Sequence, residues 1–600
     1  MSYRDLQGFV ADLRSEGELV EIEVPADTLL EIPEIHRRVI AAGGPALLFK
    51  NPQGPTGASG FPLVTNLFGS AKRVDMAFGG RPRAFVERTV RMVHELMPPS
   101  LGTLWGNRDW IQQGLSVGLK HTARGPVTEV VDDPPGLDRL PMLHTWKEDG
   151  GHFITLPLVY TEHPDNGSHN LGMYRIQRYD AQTTGMHIQI LRGAGAHLHI
   201  AESRGEDLPA TIFAGGPPAL ILSAIAPLPE NVPELVLASL LQGERLQRCD
   251  NPAGPHPLVA NAEFALVGSI AANERRPEGP FGDHYGYYSL EHDYPVFHCK
   301  ALCHRKDAIF PATVVGKPRQ EDFFLGDYLQ ELLSPLFPLV MPTVVDLWSY
   351  GETGYHSLAG AVVKDRFPRE AMVSAFRILG EGQLALQKFL LMTDQPVDLK
   401  DFRTTLETVL ARCDVRTDLY VFANLSMDSL DYTGPEVNKG SKGVLIGLGD
   451  PVRELEREFR GELPRGASAS VFCGGCLVVS GPTHAQDPHF AGQLFGLTDW
   501  PLVVLVDDCE KATRSVERFL WTTFTRFEPA ADIHAQGQVH RHHVVYQQPI
   551  VIDSRMKKGY PAELFCDPET ASTVDRRWKE YFPEGGVEMG DSDVAHLEGP

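Results

Sequence analysis

Between residues 126 and 320 the sequence breaks into short apolar runs: FITLPLVYTEH, LGMYRIQRYD, GMHIQILRGA, LPATIFAGG, ALILSAIAP, EFALVGSIA and VFHCKALCHR. Gly, Pro, Asp or Asn closes off each of them. Runs of this length, rich in β-branched and aromatic residues and bounded by turn formers, read as strands. So many strands in one stretch have to pack face to face or curl on themselves, which predicts a β-barrel or sandwich with a helix inserted at PELVLASLLQGE. The flanks obey a different rhythm. Up to about residue 125, helical spacing (YRDLQGFVADL, EIPEIHRRVIAA, RAFVERTVRMVHEL) alternates with the short strands ALLFK and PLVTNLFG, an α/β pattern.

From about 320 to 455 the α/β character returns in LGDYLQELLSPLF, TVVDLWS, PREAMVSAFRILG, KFLLMTD and DFRTTLETVLARC. The last segment, 456–600, carries a partial echo of residues 388–424. At an offset of 114, Asp394 falls on Asp508, Arg412 on Arg526 and Asp418 on Asp532, with strand, acidic turn and helix in the same order. One repeated supersecondary unit explains this most simply. The expected fold is α/β (α+β): an N-terminal α/β domain (1–125), a central split-barrel-like domain (126–320), an α/β domain (321–455) and an additional α/β unit (456–600).

A net charge of −23 makes the molecule repel nucleic acid and anionic lipid surfaces, so small molecules are the expected partners. No apolar stretch is long enough to span a bilayer, and the amino terminus lacks the uninterrupted apolar core of a signal peptide, so a cytoplasmic protein without stable membrane insertion is expected. Eight cysteines are too sparse for a disulfide scaffold. The one pair with metal or redox spacing, Cys473 and Cys476 in FCGGCLVV, has apolar flanks and reads as a buried strand with a glycine bend. In HCKALCH, alternation splits His298, Cys299, Cys303 and His304 between two faces. VHRHHVVYQQ, with His540, His542 and His543, reads as an exposed strand or loop. GVLIGLGD lacks the strand-turn-helix of a dinucleotide fingerprint.

The chemistry concentrates in EGPFGDHYGYY. Glu278 and Asp283 bracket a Gly-Pro-Phe-Gly turn whose glycines and proline permit a sharp return of the backbone. Two carboxylates held together in a dry site cannot both ionise cheaply, so one of them is expected to keep a proton it can donate. Upstream, Asn170 and Arg175 lie in HNLGMYRIQ. Their odd separation sends them to opposite faces of a regular strand, so an irregularity near Gly172 is needed if both serve one site.

NLGMYR, a glutamate in PELVLASLLQGE, and EGPFGDHYGYY, in that order, resemble the UbiD family of reversible decarboxylases, which use prenylated flavin mononucleotide. The resemblance extends to the amino-terminal DLQGFVADLRSEGELVEI and to NKGSKGVLIGLGD. It implies that Asn170 and Glu234 hold the divalent metal, usually manganese, that clamps the cofactor phosphate. It also implies that Arg175, Glu278 and Asp283 form the catalytic network, with Asp283 as proton donor. Met173, Tyr174, Arg175, His187, Ile188, Gln189, Arg192 and Gly193 fall at cofactor-contacting positions, and Lys442 in GSKG resembles a lysine that reaches the phosphate. ALILSAIAP around Ser223 corresponds to a loop where a monovalent ion such as potassium sits in some relatives. Some members add a histidine metal ligand where this chain has Leu191, leaving His187, His197 or water to fill that place.

The implied reaction is reversible decarboxylation of an unsaturated or aromatic acid through a covalent flavin-substrate adduct, loss of carbon dioxide and protonation. The resemblance also implies a prenyltransferase that supplies the modified flavin and a homo-oligomeric assembly. Chain length and the segments FLWTTFTRFEPAADI and IVIDSRMKKGYP resemble the long members associated with menaquinone biosynthesis by the futalosine route, which implies a 1,4-dihydroxy-6-naphthoate-like substrate. Three alternatives stay open: an enzyme for another aromatic or heteroaromatic acid, a non-catalytic flavin-binding assembly subunit, and a metal-dependent hydrolase using the two acids.

Overall fold

A computed structural model describes residues 3–95, 117–188, 193–226, 233–317, 319–541 and 543–591. The chain forms two compact units, one built from Met1–Leu332 with Glu563–Asp593, the other from Leu333–Ala562.

Nine strands make the main sheet of the first unit: β1 (Val130–Asp132), β2 (Phe153–Ile154), β3 (Pro157–Glu162), β4 (His169–Gly172), β5 (Ile176–Arg178), β6 (Thr183–Met186), β7 (Leu208–Ala214), β8 (Phe264–Glu278) and β9 (His292–His304). Their order is β4-β3-β7-β8-β9-β6-β5-β2, with β1 added alongside β9. The path is open: among the described residues its ends, β4 and β2, do not pair. The long antiparallel pair β8 and β9 shifts register between Val267 and Gly268 and again between Ile270 and Arg275. Such bulges bend and twist a ribbon. Here the bent ribbon carries Glu278, the last residue of β8, from the core to the site, and the chain between β8 and β9 contains the whole acidic turn.

A smaller sheet joins Leu19–Ile22, Ala46–Phe49, Leu63–Thr65 and Phe310–Pro311, so the chain leaving β9 completes the N-terminal layer. One continuous core results, with Ile35, Val39 and Leu47 packed in the same cluster as Phe264, Leu266 and Phe297. Residues 563–591, grouped by sequence with the last segment, also join this unit. The helix Pro568–Tyr581 buries Val574 and Tyr581 in that core, and Arg38 meets Asp575 at 2.6 Å.

Two run types needed tertiary information. ALILSAIAP is the helix Pro218–Ile225, not a strand; a short run buried all round has no periodicity to separate the two, and Pro218 at the first turn favours the helix. GMHIQILRGA divides between β6 and the helix Gly193–Ser203.

The second unit holds two five-stranded sheets. The first comprises β10 (Val344–Ser349), β11 (Ala359–Val363), β12 (Phe389–Thr393), β13 (Leu419–Ser426) and β14 (Lys439–Gly447). The second comprises β15 (Ser468–Cys473), β16 (Cys476–Ser480), β17 (Leu502–Val506), β18 (Ile533–His540) and β19 (His543–Asp553). The orders, β10-β11-β12-β14-β13 and β15-β16-β17-β19-β18, correspond strand for strand, and so do the directions: antiparallel, parallel, parallel, antiparallel. The correspondence reaches single hydrogen bonds. Asp414 N–H donates to Asp418 at 2.8 Å, and Glu528 N–H donates to Asp532 at 2.7 Å, each closing a short helix before the edge strand. Cys473 and Cys476 face each other across the β15–β16 hairpin and both are buried. His540 and His543 face each other at the tip of the β18–β19 hairpin.

Candidate active site

β4 stops at Gly172 and β5 begins at Ile176, so residues 173–175 are a break between strands. That break supplies the irregularity needed for Asn170 and Arg175 to serve one site. A side chain at 172 would meet the Tyr174 hydroxyl at 2.5 Å, which reserves the position for glycine. Arg175 donates from Nε and Nη2 to the two oxygens of Glu278, at 2.7 and 2.9 Å, a forked pair. Nη1 reaches Asp283 Oδ2 at 2.5 Å, and Nη2 also donates to Ser289 Oγ at 2.9 Å. The guanidinium lies 4.9 Å from the centre of the Phe281 ring.

Side chains hold the acidic turn by its backbone. Gly279 N–H donates to Gln177 Oε1 (2.8 Å), Phe281 N–H to Ser289 Oγ (3.1 Å) and Gly282 N–H to Asp149 Oδ1 (2.8 Å). Asp149 Oδ2 in turn accepts from the Thr145 hydroxyl and from the Thr145 and Trp146 amides. Gly279 has φ +96°, and a Cβ on Gly282 would sit 2.1 Å from Trp146 Cδ1. These two glycines are required by geometry.

Burial pushes the Glu278 carboxyl up, but Arg175 and then His187 outweigh it and hold the group at about 2. Burial likewise pushes Asp283 up, and His284 together with Arg175 brings it well below the usual carboxylate range. His284 donates to Asp283 Oδ1 from its backbone N–H at 2.7 Å, and its ring Nδ1 lies 2.6 Å from the same oxygen. The expectation that one acid keeps its proton is therefore corrected for the ligand-free chain. The fork of Arg175 reaches both carboxylates, so both are ionised. His187 is buried, and burial followed by Arg175 lowers its basicity against the pull of Glu278. With Glu278 an anion, Nδ1 is the donor across the 3.1 Å contact, which leaves Nε2 to accept from the Tyr294 hydroxyl at 3.4 Å.

Asn170 and Glu234 also come together. Glu234 opens the helix Glu234–Gln242, and its Oε2 accepts from Leu171 N–H, next to Asn170, at 3.1 Å. Burial raises the Glu234 carboxyl's proton affinity, and no cationic side chain pairs with it among the described residues. Asn170 Nδ2 is buried without a hydrogen-bond partner there, and a Cβ on Gly193 would fall 2.3 Å from Asn170 Oδ1. A half-buried carboxylate beside an amide oxygen, without a counter-charge, suits a hard divalent cation. No group of three or more His, Cys, Asp and Glu side chains that could hold a metal ion occurs among the described residues.

Of the other expected residues, Tyr174 and Ile188 are buried and Met173 is half-buried. Gln189, Leu191 and Arg192 lie outside the described residues. His197 Nδ1 is within 2.9 Å of the Thr161 hydroxyl. Ser223 is buried in its helix and donates to Ala219 O at 2.6 Å. Lys442 belongs to β14 of the second unit, where its ammonium donates to the carbonyls of Ala385 (2.7 Å) and Gln387 (2.8 Å). Ser289, His284, Gln177 and Asp149 were not singled out by sequence. Only His284, adjacent to Asp283, had a local signal to find.

Family models match residues 10–93, 119–318 and 323–447. They describe the N-terminal domain, the Rift-related domain and the C-terminal domain of 3-octaprenyl-4-hydroxybenzoate carboxy-lyase. The chain belongs to the UbiD family. As a UbiD-family protein it is a carboxy-lyase. It is 51% identical to an uncharacterized protein of Chlamydia trachomatis, over 96% of this chain and all of that one. It is 49% identical to a Chlamydia pneumoniae protein named as a subunit of 4-hydroxybenzoate decarboxylase, over 96% and 98% of the two chains. Its fold is similar to the closed form of vanillic acid decarboxylase from Sedimentibacter hydroxybenzoicus, with TM-score 0.66 and 24% identity over 77% of this chain and 96% of that one. It is also similar to the UbiD-class enzyme HmfF from Pelotomaculum thermopropionicum in complex with FMN, with TM-score 0.61 and 21% identity over 77% and 98%.

Proposed function

We propose that this UbiD-family carboxy-lyase releases carbon dioxide from a hydroxylated aromatic acid with prenylated flavin mononucleotide as cofactor. The observation that carries the reading is the forked Arg175–Glu278 pair with Asp283 on the same guanidinium. Asn170 and Glu234 would hold manganese or another divalent cation against the cofactor phosphate, Gly193 opens a helix whose first N–H groups favour an anion, and Met173, Tyr174, His187 and Ile188 would line the flavin. Gln189, Arg192 and a potassium ion near Ser223 belong to the same reading. A prenyltransferase that makes the cofactor, a homo-oligomeric state and a cytoplasmic location complete it.

When bound, the modified flavin supplies an electron sink for the charge left as carbon dioxide departs. The chain's own tasks are positional and protonic. Glu278 fixes Arg175 through both oxygens, so the guanidinium keeps one direction for the substrate carboxylate. That carboxylate brings a further negative charge beside Asp283 and displaces water. Both changes raise the proton affinity of Asp283, so the acid that is ionised in the free chain takes up a proton in the loaded one. It delivers that proton to the carbon that lost carbon dioxide.

For the substrate we propose a 1,4-dihydroxy-6-naphthoate-like acid of menaquinone biosynthesis, supported by the length of the chain and its final segment. A 4-hydroxybenzoate-like acid is the second reading, favoured by the name of the Chlamydia pneumoniae relative. The test is carbon dioxide release from protein reconstituted with prenylated flavin and manganese, on a panel holding the naphthoate, 4-hydroxybenzoate, vanillate and a heteroaromatic acid. Turnover of the naphthoate alone supports the first reading, and turnover of a benzoate alone replaces it with the second. No release across the panel by the fully loaded protein overturns both substrate readings.

A further inference from the structure

Each turnover consumes one proton, because a carboxylate leaves as neutral carbon dioxide and the carbon it leaves gains hydrogen. Asp283 is almost completely buried, so a proton donated there has to be replaced through a neighbour. Its side chain bonds to two others among the described residues, Arg175 on Oδ2 and His284 on Oδ1. A guanidinium does not release its proton in this range. The imidazole does, and it spans the distance required: Nδ1 lies 2.6 Å from the acid, while 27% of the side chain remains exposed.

We propose that His284 supplies the proton to Asp283, passing it from Nδ1 to Oδ1 and regaining one from solvent. This rests on the decarboxylation reading above. The balance is simple. The Asp283 O–H bond breaks as the C–H bond forms, the carboxylate takes the Nδ1 proton of the imidazolium and leaves the neutral ring protonated on Nε2, and a turn of the ring towards solvent lets water or a buffer acid restore the proton on Nδ1. Groups facing His284 favour the arrangement. Asp283 and, from the first turn of the helix Glu321–Leu333, Asp322 both bear on it, with Arg175 beyond Asp283 and the Tyr285 ring at 5.1 Å. Burial pushes the Asp322 carboxyl up to about 6, so near neutrality it too retains a proton part of the time. His284 acts through Asp283 and is a positioning residue with an exchangeable proton.

The test variant is His284→Asn, whose amide keeps a donor near the place of Nδ1 but cannot lose its proton. Two measurements are made. In ligand-free protein with 15N-labelled histidine, the His284 protonation midpoint in the wild type is expected to lie a pH unit or more above that in Asp283→Asn, because the anion stabilises the imidazolium. An equal midpoint in the two overturns the proposal whatever the protein's substrate. In the loaded protein, His284→Asn is expected to lower steady-state kcat at least tenfold with KM little changed, and imidazole or another small buffer acid restores the rate in proportion to its acid strength. A kcat within twofold of the wild type, or a loss that no buffer acid relieves, overturns it. A wild type that releases no carbon dioxide defeats the decarboxylation reading alone, since the nuclear magnetic resonance result is obtained without cofactor or substrate.

Discussion

Replacing Glu278 with Gln removes the charge and keeps the shape. In the folded chain the Glu278 carboxyl is held at about 2, against an ordinary value of 4.5. At 1.36 kcal/mol per pH unit, that gap is worth about 3 kcal/mol of stability near neutrality, in line with the roughly 3–5 kcal/mol lost when one partner of a buried ion pair is removed. The sign follows from the depressed folded value: the stabilisation is complete above 4.5 and disappears as pH falls towards 2. At pH 4 about 0.8 kcal/mol of it has already gone. The first unit contains about 360 residues, so its unfolding entropy is about 0.75 kcal/mol/K. The ligand-free variant should therefore melt about 4 °C below the wild type at pH 7 and about 3 °C below it at pH 4, by scanning calorimetry on the transition of that unit. A deficit under 1 °C at pH 7 would refute the assignment of Glu278 as a charged partner of Arg175. A larger deficit at pH 4 than at pH 7 would refute the sign.

Two further outcomes are expected. Glu234→Gln should lower bound manganese, measured by elemental analysis after gel filtration, by about tenfold or more, because the carboxylate proposed to hold the metal is lost while Leu171 N–H still has an acceptor. Gly282→Ala should cost about 1–3 kcal/mol through the clash with Trp146, and should lower kcat on the order of a hundredfold by displacing Asp283, with little change in bound flavin.

The meeting of Arg175, Glu278 and Asp283 was legible because its signal is local: two acids at the ends of one turn, and an arginine in a motif whose parity demanded a broken strand, which the gap between β4 and β5 provides. The residues that hold the turn were not legible. Asp149, Gln177 and Ser289 reach it from three different places in the chain, and no spacing in sequence encodes those meetings. The ionisation of the acids was misjudged for a related reason. Parity and turn chemistry bring Glu278 and Asp283 together, but only the tertiary fold puts one guanidinium and an imidazole on them. The helix at Ser223 was hidden by burial on all sides, which erases the period that distinguishes helix from strand.

The first unit is discontinuous, and that has a consequence for synthesis on the ribosome. The core that positions Glu278 includes Val574 and Tyr581, which are made only after the whole of Leu333–Ala562 has emerged. At about 5–20 residues per second, those roughly 230 residues separate the two parts of the core by on the order of 10–50 s. During that interval the Glu31–Ala41 helix lacks the cover of Pro568–Tyr581, leaving a patch of nascent chain for chaperones while Leu333–Ala562 is being made.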